Sequence, residues 1–330
     1  MESQLLWPRT HNGTISETHD PEAFDLLPCA VPCEELGRPS VAAVLKDTIK
    51  ENEVGSREVI RAGLFRLLPN FDPSALPSDK LRVPGELPVV CKVAHGRRQI
   101  EILKKEADIY NENLRDLQGV AVPEMVGCYI GKTAEGCHVG VLILTDCGEP
   151  LEEGLAPYSQ SIRQQVVFNL LAIHRAGVEH RDFHVGNILA KKRDDGQGYD
   201  VTIIDFERSE RIACQYKGDE HSDLAFYRHP PDYKQFGCKE LYDACVYACI
   251  WMKRMINLGN RSVPIEEIKN IETFVDSDIL PKDMTRDAAI LHVSEQVAAI
   301  VKTMKRRKER DEKPRPPKSP AVEGAVLVPA

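Results

Sequence analysis

The chain has 330 residues, 42% of them hydrophobic and 28% charged, with a formal net charge of −8. That length supports one large domain or two lobes with a sizeable core, and the composition is that of a globular protein. The acidic balance argues against nucleic-acid binding through overall charge, and without a run of ~18 apolar residues no membrane span is expected. The start, MESQLLWPRTHNG, lacks a basic segment followed by an apolar stretch, so no signal peptide is expected. The ten cysteines include two CxxxC pairs, Cys29/Cys33 and Cys245/Cys249, with no matching partner pair for a zinc site. Several lie in apolar runs and read as small buried hydrophobes in a reducing compartment.

Residues 1–38 carry prolines and polar residues with little periodicity and read as an irregular extension. Ser40–Ile49 and Ser56–Leu68 are β-capable runs, with Lys50–Gly55 (KENEVG) as the turn between them. A Pro-, Asp- and Ser-rich loop leads to PVVCKVA, Pro88–Ala94, which reads as a buried strand. From about Arg98 to Leu117 the apolar residues Leu103, Ala107, Tyr110, Leu114 and Leu117 recur at steps of four and three, one face of a helix. Glu124–Thr133 and His138–Thr145 read as a strand pair, and Ser159–Arg175 as a second helix that Gly177 ends. Lys239–Ile256 is apolar almost all round, as a helix buried in a large domain would be, and the remainder is helical in pattern to about Arg307. The tail from Lys302 to Lys318 holds nine basic and three acidic residues with three prolines. It reads as a solvated, disordered end, with a nuclear-import address or a weak anionic-surface patch as alternatives.

Chemistry concentrates in EHRDFHVGNIL (Glu179–Leu189) and VTIIDFE (Val201–Glu207). Asp182 precedes Asn187 by five residues, and a strand-like run then delivers Asp205. A carboxylate beside an attacking hydroxyl, with a neutral and an anionic oxygen for magnesium, suits phosphoryl transfer from a nucleotide. Lys92 sits in an apolar strand, where an unpaired ammonium is costly and needs a partner or a ligand. At ~100° per residue Glu106 falls at the edge of the following helix's apolar face, whereas Glu101 and Glu112 point to the opposite side.

On these motifs the chain resembles the protein-kinase-like superfamily over roughly residues 40 to 260. The likeness is greatest to the small divergent kinase-like proteins common in fungi, and the DFE ending is shared with choline and aminoglycoside kinases. The resemblance implies an α+β bilobal fold: a small antiparallel-sheet N-lobe over 39–148, a mainly helical C-lobe over 149–308, and a disordered Pro/basic tail over 309–330. It implies ATP and Mg2+ as cofactors, Asp182 as catalytic base, Asn187 and Asp205 on the metal, and Lys92 on the α- and β-phosphates, paired with Glu106. Thr145, Asp146, Cys147 and Gly148 would form an adenine-reading hinge between the lobes, with Ile143 or Leu144 behind the pocket and Gly55 in the phosphate-covering turn. The acceptor would be a hydroxyl, with Ser/Thr of a protein favoured by HRD and a small molecule as the alternative, and with no membrane partner, no specific nucleic-acid binding and a cytoplasmic or nuclear setting.

The sequence also departs from that pattern. The covering turn holds only Gly55, with Glu51 and Glu53 beside it, which would repel phosphates and favours the alternative of a catalytically weak pseudokinase scaffold. The third position of the DFG motif is Glu207, and no APE sequence follows. His184 stands where Ser/Thr kinases commonly have a lysine, two residues after the aspartate. Arg181 would brace the catalytic loop, and Asp243 would support its backbone.

Overall fold

The structure is a computed structural model that describes residues 5–7, 10–11, 14–15, 24–30, 41–51, 57–66, 87–132, 136–275, 280, 282 and 284–317. The fold is α+β and divides into two compact units. One comprises Met1–Gly148, Ala172–Asp182 and Leu189–Ala213; the other comprises Glu149–Leu171, Phe183–Ile188 and Cys214–Ala330. Among the described residues no helix is long and apolar enough to cross a membrane.

The first unit is built on a closed seven-stranded barrel. Its strands are β1 (Leu5–Trp7), β2 (Phe24–Ala30), β3 (Val41–Glu51), β4 (Arg57–Arg66), β5 (Leu87–His95), β6 (Met125–Lys132) and β7 (His138–Thr145). The order is β1-β2-β6-β7-β5-β4-β3, antiparallel throughout except where β1 meets β3 in parallel and closes the ring. β1 and β2 fall in the stretch expected to be irregular. Proline in a strand interior argues against a strand; here Pro28 sits where the β2–β6 register shifts, at a bulge that tolerates it. Closure through these strands removes the open sheet edges.

Alternation sets the two faces. Ile60, Ala62 and Leu64 of β4, Val89, Cys91 and Val93 of β5, and Val139, Val141 and Ile143 of β7 form one buried cluster with Tyr129. The intervening residues of β5 and β7 therefore point the other way. Lys92 is one of them, in register with Val59 on one side and Leu142 on the other. Helix α1 (Arg97–Asp108) covers that face, burying Ile100, Leu103, Glu106 and Ala107. Its approach is close: a β-carbon at Gly140 of β7 would lie 3.2 Å from both Ile100 and Leu103. The helical pattern expected to Leu117 continues as a π-turn over Ile109–Asn113, with Leu114 N–H donating to Ile109 O at 3.0 Å, and then a short 3₁₀ turn over Arg115–Leu117.

In the second unit the buried run expected as one helix over 239–256 is shorter. Helix α3 spans Lys239–Tyr247 (α2, Gln160–Arg175, precedes it), and Cys249 adopts a positive φ of 52°. Met255–Leu258 (β8) then pairs with Arg261–Pro264 (β9) across a two-residue Gly-Asn turn, with φ 57° at Gly259. A fully apolar run does not distinguish buried helix from buried strand, which is why the hairpin was not anticipated. Ile256 and Leu258 pack with Val275 and with Ala289 and Val293 of α4 (Arg286–Asp311).

Helix α4 runs past the expected start of the disordered tail because its last residue is anchored. Arg163 of α2 pairs with Asp311 at 2.8 Å, with side chains 0% and 2% exposed. Tyr227 Oη donates to Asp311 at 2.5 Å, and Arg163 lies over the Phe226 ring, 4.9 Å from its centroid. Beyond the helix, Arg315 N–H donates to Pro157 O at 2.9 Å and the Arg315 side chain pairs with Glu153 at 2.7 Å. Residues 318–330 lie outside the described residues.

Burial pushes the Asp311 carboxyl up, but hydrogen bonds from Tyr227 and Arg163 outweigh it and its pKa falls below the usual carboxylate value. A depressed folded pKa adds stability that is complete above the unfolded value, about 4, and is lost as pH falls through the folded value. Asp311→Ala is expected to cost about 3–5 kcal/mol in urea unfolding at neutral pH, because it strands a buried guanidinium. Asp311→Asn should unfold with a flatter pH dependence below about pH 4 than the wild type.

Candidate active site

Strand β5 presents Lys92 to α1, and α1 presents Glu106 from its buried face. Lys92 Nζ donates to both Glu106 oxygens, at 2.7 and 2.9 Å. A third bond, at 2.6 Å, goes to Asp205 Oδ1, just after the strand Tyr199–Ile203. The Lys92 and Glu106 side chains are 16% and 2% exposed, so solvent screening is weak. Burial works against the charged lysine, but the Glu106 and Asp205 carboxylates outweigh it and hold the Lys92 pKa above its ordinary value. Burial lifts Glu106 above the usual carboxylate range; the Lys92 ammonium and the Phe206 N–H pull it back, and the nearby Asp205 charge adds to the rise. Glu101 pairs instead with Lys104, and Glu112 with Arg211, on the exposed side.

The segment carrying Asp205 is fixed residue by residue. Asp205 adopts a left-handed φ of 73°, which aspartate tolerates better than most residues. Phe206 donates its N–H to Glu106 Oε1 at 3.1 Å. Its ring packs edge-on to Tyr110 (centroids 5.3 Å apart) and against His180 at 5.0 Å, a three-ring stack in which all three side chains are buried. Glu207 pairs with Arg57 of β4, and Arg57 Nε also donates to Gln99 at 2.5 Å. Among the described residues the left-handed conformation falls at Asp205 and not at Glu207, so no glycine is required at the third position. Ser209 Oγ donates to His180 O at 3.1 Å.

His180 fixes the start of the loop that carries Asp182. Its Nε2 bonds to Ile204 O at 2.9 Å, and its Nδ1 accepts from Asp182 N–H at 3.3 Å. A carbonyl on one nitrogen and an N–H on the other call for the neutral Nε2–H tautomer. Arg181 has a left-handed φ of 64° and pairs with Glu210. Arg208 reaches the Asp182 carboxylate at 3.5 Å. In the second unit Val185–Asn187 form a 3₁₀ turn in which Asn187 is buried and its N–H donates to His184 O at 2.9 Å.

Thr145 ends β7, and Asp146, Cys147 and Gly148 follow it. Thr145 N–H donates to Glu124 O at 3.0 Å, Asp146 N–H to Pro88 O at 3.1 Å, and Gly148 N–H to Asp146 Oδ1 at 3.0 Å. Arg61 pairs with Asp146 at 3.4 Å. Gly148 has φ 96°, and a β-carbon there would meet Ala190 O at 2.6 Å, so both conformation and space demand glycine. The Cys147 thiol is pushed up by burial, against hydrogen bonds to Thr145 and Thr202. Ile143 and Leu144 are buried. Gly55 lies outside the described residues.

The structure thus brings Lys92, Glu106 and Asp205 into direct contact and sets Asp182 beside His180. Asp243 does not support the catalytic loop: it is 55% exposed and pairs with Lys239 one helical turn away on α3. Its i,i+4 spacing to Lys239 was the sequence signal for that surface pair. The sequence marks Tyr110 only as part of an apolar helix face and does not single out Arg57 or Arg208, because their roles come from residues dozens of positions away.

A model of the lipopolysaccharide kinase (Kdo/WaaP) family matches residues 111–230. The chain is similar to that family, itself of the protein-kinase-like superfamily, over the stretch holding Asp182, Asn187 and Asp205. Lys92 and Glu106 lie before the match, and geometry alone ties them to Asp205. No curated protein sequence matches the chain at a significant level.

Replacing Glu106 by Leu should leave Lys92 with Asp205 alone and the buried Phe206 N–H without its acceptor, at a cost of about 1–3 kcal/mol in chemical denaturation. The double variant Glu106→Leu/Lys92→Met should lose less than the sum of the two single losses, since the Lys92–Glu106 bonds are broken in both. Additive losses would show that the pair is not coupled.

Proposed function

We propose that this protein is an ATP-dependent phosphotransferase that moves the γ-phosphoryl group of Mg-ATP to a hydroxyl acceptor. The contact of Lys92 with Glu106 and Asp205 carries this reading. It joins a phosphate-directed cation to a candidate metal ligand in a largely buried setting, which a structural ion pair would not need. The kinase-family match supports phosphotransfer independently.

Asp205 would offer magnesium an anionic oxygen, and the sequence motif assigns Asn187 a neutral one; both are hard donors, and the phosphates would complete the shell. The metal would neutralise charge on the phosphates. Lys92 would hold the α- and β-phosphates, and Glu106 would keep Lys92 in place. At the hinge, Thr145, Asp146 and Gly148 spend their N–H groups within the protein, so the Cys147 amide is the donor left for adenine.

In transfer, the acceptor oxygen bonds to the γ-phosphorus, and its proton passes to the Asp182 carboxylate and on to water. The bond from the γ-phosphorus to the bridging oxygen breaks, and its electron pair stays on ADP. For the acceptor, the HRD sequence alone leans to Ser/Thr. The lipopolysaccharide kinase match, His184 in place of lysine and the missing APE favour a hydroxyl on a sugar or other small molecule.

Millimolar Mg-ATP should raise the unfolding temperature, since ligand at ~100 times its Kd stabilises by about 2.7 kcal/mol. Asp205→Ala should abolish the magnesium dependence of that shift. Asp182→Ala should keep the shift yet lower turnover by roughly 10²–10⁴. Wild-type turnover in Asp182→Ala would contradict the assignment of the base, and no shift in the wild type would favour a scaffold.

A further inference from the structure

Phosphoryl transfer places a group with negative charge spread over three oxygens between a carboxylate base and a departing diphosphate, so a cation beside the base would stabilise it. The catalytic loop does not supply one where Ser/Thr kinases have lysine. His184 stands there, and its Nδ1 is spent accepting from Gly186 N–H at 3.1 Å.

A cation comes from another direction. Arg208 Nη1 lies 3.5 Å from Asp182 Oδ1, and the Arg208 side chain is 66% exposed against 29% for Asp182. The guanidinium therefore stands at the base on a side chain that is two-thirds exposed. Its position follows from the backbone. Phe206 is tied to Glu106, Glu207 to Arg57, and Ser209 to His180, while Ser209 N–H also donates to Phe206 O at 3.1 Å. Residues on both sides of Arg208 are thus held, and its Cα cannot drift from the loop that carries Asp182. The neighbouring Arg181 pairs with Glu210.

We propose that Arg208 is a further catalytic residue, whose guanidinium binds the γ-phosphoryl oxygens as the group passes from ADP to the acceptor. The role rests on the phosphotransferase reading above. In the ground state Arg208 leans on Asp182; as charge builds on the transferring group, its planar donor fork engages two oxygens at once. The acceptor's proton still goes to Asp182 and the electron pair of the broken bond still stays on ADP.

The test compares binding of Mg-ADP with binding of Mg-ADP plus fluoroaluminate, a mimic of the group in flight, for the full chain and for Arg208→Ala and Arg208→Lys. Arg208→Ala should bind Mg-ADP within about twofold of wild type yet bind the fluoroaluminate complex roughly 10²-fold more weakly. Arg208→Lys should fall between, and all three should share one unfolding temperature without ligand. Equal fluoroaluminate affinity in wild type and Arg208→Ala would overturn the role. So would an equal loss for both ligands, which marks Arg208 as a general nucleotide contact. A wild type that binds no Mg-ADP would instead overturn the phosphotransferase reading and this role with it.

Discussion

One ammonium group organises the first unit. Lys92 joins a barrel strand, the helix that covers it and the segment that ends in Asp205, through bonds of 2.6 to 2.9 Å. Two carboxylates share one lysine in a poorly screened place. A buried ionic cluster usually stabilises a fold less than apolar packing of the same volume would. Under the proposed function its presence has a ligand-binding reason: the carboxylates would draw a divalent cation, and the lysine the phosphates that come with it.

That cluster is only as useful as its support is stiff. The ring stack of Tyr110, Phe206 and His180 runs from the π-turn after α1 to the catalytic loop, so a shift in one is felt at the others. His180 connects the two aspartate-bearing segments through Ile204 O and Asp182 N–H. The left-handed backbone at Arg181 and Asp205 is unfavourable locally and persists because these contacts over-determine it. Glu207, held by Arg57, adds a tie that a glycine could not make.

Much of this was legible in the sequence where one periodicity governs one element. Alternation through Val89, Cys91 and Val93 marks a strand with one buried face, and it also says that Lys92 points the other way. The 3.6-residue repeat of α1 separates Glu106 from Glu101 and Glu112. Reading ran out where structure depends on distant partners. Pro28 hid a strand that a bulge accommodates, and the apolar run after Tyr247 concealed a turn at Gly259. The end of α4 looked like a solvated basic tail because Asp311 is one acid among many bases; its buried partner, Arg163, is far away in sequence. Asp243 was misplaced for the opposite reason, since motif order suggested a tertiary role to a residue whose partner is one turn away.

The account stands on Asp205 being a metal ligand that Lys92 holds ready. The most direct test is a crystal structure with Mn2+ and a non-hydrolysable ATP analogue, read by anomalous scattering. A manganese peak at the Asp205 carboxylate, with analogue phosphate oxygens within hydrogen-bond distance of Lys92 Nζ, is the predicted result. Analogue bound away from both residues, or a Lys92–Glu106–Asp205 cluster unchanged and without metal at saturating ligand, would contradict it.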